Sequence, residues 1–314
     1  MAKKMFEIIP DGTNFDFVSL FKYTSVVSII LVIISVFGIL NNMNYGVDFR
    51  GGAEIQVKFK SEVPLDQLRA NLSEAGFPTA SVQNLGETTD YEFLIKLSGD
   101  ETNLNQISEQ VSSSLNTKFA SSGVEIRKVD IVGPKAGAAL RISGFQAMLW
   151  ALIAIMVYIG LRFDFKYSPG AIISLIHDVV LVLGIFAFTH YEFTLQTVAA
   201  MLAIIGYSVN DTVVVYDRVR EHEAMNPALP LWKHINKSAN EMLSRTILTS
   251  GTTLFISLTM FLYGGLAIRD FFLAITLGVV IGTYSSIFVA APITLFFDRL
   301  KSKQVSKVSA SVKA

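Results

Sequence analysis

The chain contains no cysteine. That excludes a disulfide framework and any thiolate metal site, and it is compatible with domains on the oxidising side of a bacterial inner membrane. Charge is scarce too: 17% of the 314 residues are Asp, Glu, Lys or Arg, and the formal net charge is zero. A zero balance leaves no electrostatic footprint for nucleic acid, so none is expected as a partner. The Gly-x-x-x-x-Gly-Lys-Ser/Thr run of a P-loop is missing, which sets nucleotide hydrolysis aside. His-Glu-x-x-His and Gly-x-Ser-x-Gly are missing as well. No cofactor, metal or enzymatic activity is expected.

Apolar residues dominate instead. Hydrophobic residues make up 51% of the chain and the mean hydropathy is +0.48, too apolar for an ordinary soluble domain. Segments 22–40, 142–161, 168–189, 193–216, 246–267 and 271–297 each approach the roughly 20 apolar residues a spanning helix needs. The first follows Lys3, Lys4 and Lys22 like a signal sequence, but it ends in Asn41-Asn42-Met43-Asn44 without a small-x-small cleavage pattern. It reads as an uncleaved first membrane helix.

Lys and Arg crowd one set of loops: Lys3, Lys4 and Lys22; Arg162 and Lys166; Arg218, Arg220, Lys233, Lys237 and Arg245; Arg299 and the lysines beyond it. The opposite short loops hold Arg269. Both termini are therefore expected in the cytoplasm, with 41–141 outside. The expected organisation is a cytoplasmic N-terminus over 1–21, a first helix over 22–40 and an outer domain over 41–141. Helices two to six follow over 142–299, with a cytoplasmic loop at 217–245, and 300–314 is a disordered tail. Trp232, Ile235, Ala239 and Met242 line one face of that loop. This fits a short amphipathic helix on the membrane surface, or a solvated connector packed on the bundle. The tail lysines suit anionic lipid.

The outer stretch has its own periodicity. Ile55, Val57 and Phe59 alternate with polar residues, as in a strand over Ala53–Phe59. Pro64 opens a helical pattern through Leu65, Leu68 and Leu72 that stops at Gly76. Ser81–Leu85 and Tyr91–Leu97 read as strands around Gly86 and Asp90. Leu104, Ile107, Val111, Leu115 and Phe119 mark a second helix, and Val124–Val132 a last strand. The order β-α-β-β-α-β is the ferredoxin-like arrangement.

Polar residues inside the apolar runs are the candidate site. Asn210-Asp211 interrupts the fourth run, where a carboxylate costs several kcal/mol unless protonated, paired or wetted. On a helix Asp211 shares a face with Tyr207 and Ser208, a polar stripe directed into a bundle. Such a residue marks an ion or proton path, or else pins two helices. Arg245 opens the fifth run and is either the partner of Asp211 or a positive-inside anchor that snorkels to headgroups. His177-Asp178 lies within the third run, as a titrating pair or as helix-packing hydrogen bonds. Adjacent helical residues point about 100° apart, so these two are not expected to form one compact site by themselves. Gly278, Gly282 and Ser286 repeat every four residues, a close-packing pattern with no chemistry implied. Asp178 and Asp211 together also raise an intramembrane aspartyl protease.

Two motifs resemble those of a known family. Asn44-Tyr45-Gly46-Val47-Asp48-Phe49-Arg50-Gly51-Gly52 and Val132-Gly133-Pro134-Lys135-Ala136-Gly137 are similar to the segments flanking the outer domain in the SecD/SecF family of the bacterial Sec translocase. Further motifs resemble its SecF branch: Arg162-Phe163-Asp164, His177-Asp178, Ile205 through Arg218, Ser244-Arg245-Thr246-Ile247 and Tyr284-Ser285-Ser286. Tyr216 stands where that branch usually has Phe, and Asp164 where it has Glu.

The resemblance implies six RND-type transmembrane helices and one periplasmic ferredoxin-like domain in the bacterial inner membrane. It implies pairing with SecD and association with the SecYEG channel and YajC. It implies use of the proton gradient to promote late preprotein translocation and release at the periplasmic face. Asp211 and Arg245 match the family's proton-conducting residues, with His177, Asp178, Asn210 and Tyr207 as accessory candidates. Gly46, Asp48, Gly51, Gly52, Gly133 and Pro134 match structural signature positions. An RND-type exporter of small molecules or lipids remains a second reading of the same fold.

Overall fold

A computed structural model describes residues 13–85, 90–97, 104–163 and 166–300. Lys3, Lys4, the turn at Gly86, Asp164 and the tail beyond Leu300 lie outside the described residues.

The first helix, α1 (Phe17–Asn42), opens where Asp16 Oδ1 accepts the Ser19 N–H at 3.2 Å. A one-turn helix, α2 (Val47–Arg50), then leads into the α/β domain. Its elements are β1 (Gly52–Phe59), α3 (Leu65–Glu74), β2 (Ser81–Asn84), β3 (Glu92–Leu97), α4 (Leu104–Lys118) and β4 (Val124–Val132). The strands pair antiparallel in the order β2-β3-β1-β4, the ferredoxin-like order. Ala53, Ile55, Val57 and Phe59 of β1 are buried with Leu68, Leu72, Val111 and Leu115 of the two helices. Period two in the strands and period near 3.6 in the helices thus bury one shared core.

The other sheet face is polar. Glu54, Gln56, Lys96, Lys128 and Asp130 look onto a cleft of about 810 Å³ that Glu192 and Asp270 close from the helical side. Lys96 lies between Glu54, at 3.6 Å, and Glu192, so an ion pair joins β3 to the helices.

Those helices are α5 (Pro134–Arg162), α6 (Ser168–Thr189), α7 (Leu195–Met225), α8 (Leu231–Tyr263) and α9 (Leu266–Phe288). After a break at Val289, helix resumes over 290–300. Among the described residues, six helices are long and apolar enough to cross a membrane. At 1.5 Å rise per residue, helices of 29 to 33 residues extend beyond a core about 30 Å thick, so apolar windows alone understate them. α1, α5 and α8 expose large apolar side chains such as Ile33, Trp150 and Phe255, while α6 and α7 are mostly enclosed.

The stretch 217–245 differs from the expected loop helix. α7 and α8 run through it, leaving 226–230 as the connector. Leu231, Ile235 and Ala239 are buried against Tyr216 and Val219, and only Trp232 of that face is exposed. Ion pairs hold the charges: Glu241 of α8 with Arg218 and with His222 of α7, and Lys166, in the turn before α6, with Glu223 of α7. The apolar face therefore packs on the bundle rather than on a membrane surface. Phe15 is tied to the same end, its N–H donating to Asn240 Oδ1 at 2.7 Å and its carbonyl accepting from Asn240 Nδ2 at 2.9 Å.

Candidate functional site

The bundle has two apolar cores. One contains Phe49, Val182, Phe186, Met201, Ile204 and Ala274. The other contains Ala171, Val215, Tyr216, Ile235, Ile287 and Ala290. Between them, along each of α6, α7 and α9, falls a layer of polar side chains: His177 and Asp178; Ser208, Asp211 and Thr212; Ser285 and Ser286. α8 adds Thr246 and Ser250.

Small residues make the layer tight. A Cβ on Gly278 would lie 2.3 Å from Ile204 Cγ1, and one on Gly282 would lie 3.1 Å from Ser208 Cβ. α9 can therefore lie close against α7, and Ser286 is brought within reach of Asp211. The two glycines follow the expected close-packing role; Ser286 departs from it by making a polar contact.

Asp211 is 7% exposed. Its Oδ1 accepts from Thr246 Oγ1 and its Oδ2 from Ser286 Oγ, both at 3.0 Å. Arg245 is exposed and forms no ion pair among the described residues, although it adjoins Thr246 in sequence. The structure therefore has Asp211 on hydroxyls rather than in an ion pair.

Asp178 is 1% exposed and more heavily bonded. Its Oδ2 accepts from Ser208 Oγ at 2.6 Å and Ser285 Oγ at 2.7 Å. Its Oδ1 lies 3.0 Å from His177 Nδ1. His177 and Asp178, not expected to form one compact site by themselves, are joined by this hydrogen bond despite the divergence of their Cβ vectors, and Ser208 and Ser285 complete the cluster. The two carboxylates share no donor among the described residues.

The other candidates separate. Tyr207 donates to Ser250 Oγ at 2.9 Å, which also receives Thr283 Oγ1 at 2.7 Å, so Tyr207 does not bond Asp211. Asn210 faces outward and is exposed. The serines of α9 are the residues whose roles sequence reasoning missed, although two adjacent hydroxyls in an apolar helix were a usable signal.

The glycine-rich signature forms a second focus, at the junction of the α/β domain and the bundle. Gly46 N–H donates to the Phe193 carbonyl at 2.9 Å, and Phe193 N–H to the Asn44 carbonyl at 2.7 Å. Asp48 Oδ2 accepts the Leu195 N–H at 2.9 Å, placing a carboxylate on the first turn of α7. Gly51 has φ +80°, and a Cβ there would lie 2.7 Å from Pro134 Cα. Gly133 caps α5, and Pro134 supplies the fixed φ that suits a first turn.

A ferredoxin-like domain tied to six apolar helices, with a polar layer at their centre, defines a multi-pass membrane protein of transport type. Residues 110–300 match the family described as protein export membrane protein SecD/SecF, C-terminal, and residues 43–63 match the SecD/SecF GG motif. The chain is 43% identical over 300 residues to the protein translocase subunit SecF of Rickettsia rickettsii, covering 95% of this chain and 97% of that one. It is 42% identical over 295 residues to the SecF subunit of Rickettsia bellii, covering 94% and 97%. The crystal structure of SecDF from Thermus thermophilus superposes with a TM-score of 0.79 at 33% identity, covering 92% of this chain. A SecDF structure in the super-membrane-facing form gives 0.71 at 34%, covering 96%. The chain spans only 39% and 41% of those two SecDF chains. It belongs to the SecD/SecF family, as a SecF-type protein translocase subunit.

Proposed function

We propose that this subunit couples proton movement to late preprotein translocation and release on the outer face of the bacterial inner membrane. Both termini lie in the cytoplasm and the ferredoxin-like domain in the periplasm. It works with a SecD-type partner beside the SecYEG channel, with YajC associated. Asp211 alternates between a protonated form on Thr246 and Ser286 and an ionised form drawn to Arg245. One observation carries this reading: a buried carboxylate in a membrane helix, held by exchangeable hydroxyls, with an exposed arginine next to one of its donors. A proton crossing the full potential releases about 2.3 kcal/mol per 100 mV, comparable to the cost of exchanging such hydrogen bonds. Asn210 and Arg245, polar yet exposed on the helices, fit a face that a second subunit covers.

The test uses Asp211→Asn in the assembled translocase, in vesicles with an imposed proton gradient. Gradient-dependent export is expected to vanish while assembly persists. Normal export by the variant would refute the relay. An RND-type exporter instead predicts transport of a small molecule or lipid and no co-purification with the channel. An intramembrane protease predicts peptide cleavage lost with Asp178→Ala.

A further inference from the structure

His177 is 4% exposed, and its Nδ1 is taken by Asp178. With Asp178 as a carboxylate, which only accepts, the hydrogen between Oδ1 and Nδ1 belongs to the histidine. Nε2 is then a lone-pair nitrogen, and it has no hydrogen-bond partner among the described residues. A buried polar atom without a partner carries a desolvation cost of about 1–3 kcal/mol. A proton taken up there breaks no hydrogen bond made among the described residues.

The groups facing this pair are few. α9 presents the Tyr284 ring, 6.3 Å from the His177 ring between centroids, and Ser285. The Tyr284 hydroxyl is engaged with Ser28 Oγ of α1 at 3.0 Å. The buried face of α1 carries Ser28 and Ser35 but no charge. α7 presents Ser208 and, beyond it, Asp211. α5 buries Gly144, Met148 and Ile159, none of them titratable. Among the described residues that these elements bring towards the pair, the one charged group apart from its own members is Asp211, one turn beyond Ser208.

Consecutive helical residues diverge by about 100°, so Ser285 reaches α6 while Ser286 reaches α7. A rotation of α9 that withdraws Ser286 from Asp211 also displaces Ser285 from Asp178. We propose that His177 and Asp178 form a second proton-holding pair, coupled to Asp211 by the adjacent hydroxyls of Ser285 and Ser286. The proposal rests on the proton-coupled reading above. A proton taken up at Nε2 makes an N–H bond and an imidazolium; the Nδ1–H bond to Asp178 stays, and the pair passes from one negative charge to neutral. Asp211 then ionises towards Arg245 without placing two uncompensated negative charges in one buried layer. The layer thus holds a proton at one of two places, and α9 senses which.

The test is nitrogen-15 NMR of histidine-labelled chain, assembled with unlabelled partner and reconstituted in lipid, from about pH 5 to about pH 8. The His177 signals are assigned by their loss in His177→Gln. If that variant does not assemble, they are assigned by elimination with His190→Gln, His222→Gln and His234→Gln. The expected result is reversible protonation of His177 at Nε2. In Asp211→Asn, where a neutral amide replaces the carboxylate, half-protonation then needs a proton concentration about tenfold higher. A His177 that stays neutral across the range, or one whose titration is the same in Asp211→Asn, overturns the proposal. Either result leaves the export reading standing if Asp211→Asn abolishes gradient-dependent export. Conversely, coupled titration with normal export by Asp211→Asn refutes the export reading alone.

Discussion

Ser286 of α9 donates to Asp211 of α7 at 3.0 Å, while its neighbour Ser285 donates to Asp178 of α6 at 2.7 Å. One dipeptide thus holds two buried carboxylates on two different helices, and neither carboxylate is held by α9 alone.

That asymmetry orders two substitutions. Ser286→Ala removes the sole protein donor to Asp211 Oδ2 among the described residues, whereas Ser285→Ala leaves Ser208 on Asp178 Oδ2. Orphaning a buried acceptor costs about 1–3 kcal/mol. Thermal unfolding in detergent should therefore show Ser286→Ala as the more destabilised of the two. The reverse order would count against the bonding described.

The glycine-rich junction is tested by contrast. Gly51 and Gly76 both have positive φ, but a Cβ at Gly76 meets nothing within 4 Å, while one at Gly51 strikes Pro134. Gly76→Ala should cost only the left-handed backbone strain, about 1–2 kcal/mol. Gly51→Ala adds a backbone clash, and a clearly larger drop in melting temperature or in folded yield is expected.

Asp48 reaches across sequence to cap α7. Asp48→Ala should destabilise the protein by about 1 kcal/mol and speed amide exchange at Leu195. Asp48→Asn keeps an acceptor oxygen and should recover part of the loss. Unchanged exchange at Leu195 in Asp48→Ala would remove this role.

The cleft between domain and bundle carries a pH dependence. Burial pushes the Glu54 carboxyl above its ordinary value of 4.5, against the pull of Lys96. A raised carboxyl binds its proton more tightly in the folded state, so its contribution is complete below pH 4.5 and is lost as pH rises through the folded value. Ionised Glu54 therefore opposes folding at neutral pH. Glu54→Gln should raise the melting temperature near pH 7, with the advantage shrinking as pH falls towards 4.5. An advantage independent of pH would point to packing instead.

Much of the architecture is written locally. Alternation in Ile55, Val57 and Phe59 and helical spacing in Leu68, Leu72, Val111 and Leu115 are properties of short segments, and the ferredoxin-like order follows from them. Asp211 announced itself because a carboxylate in an apolar run is costly in any bundle. Length and pairing were less legible. The charges in 217–245 suggest a loop until Glu241 is seen between Arg218 and His222, since an ion pair across helices leaves no mark on hydropathy.

By itself, then, the sequence determined which segments are apolar and long enough to span, which fold as a separate domain and which residue is expensive, because burial and periodicity act on neighbours in the chain. Only the tertiary structure decided who meets whom. Ser285 and Ser286 acquire their partners through the close approach of α9 to α7 at Gly278 and Gly282. His177 joins Asp178 through side-chain torsions, and Arg245 stays outside while Thr246 turns in. Hydrogen bonds depend on distances of tenths of an ångström between separate helices, and no one-dimensional pattern encodes those.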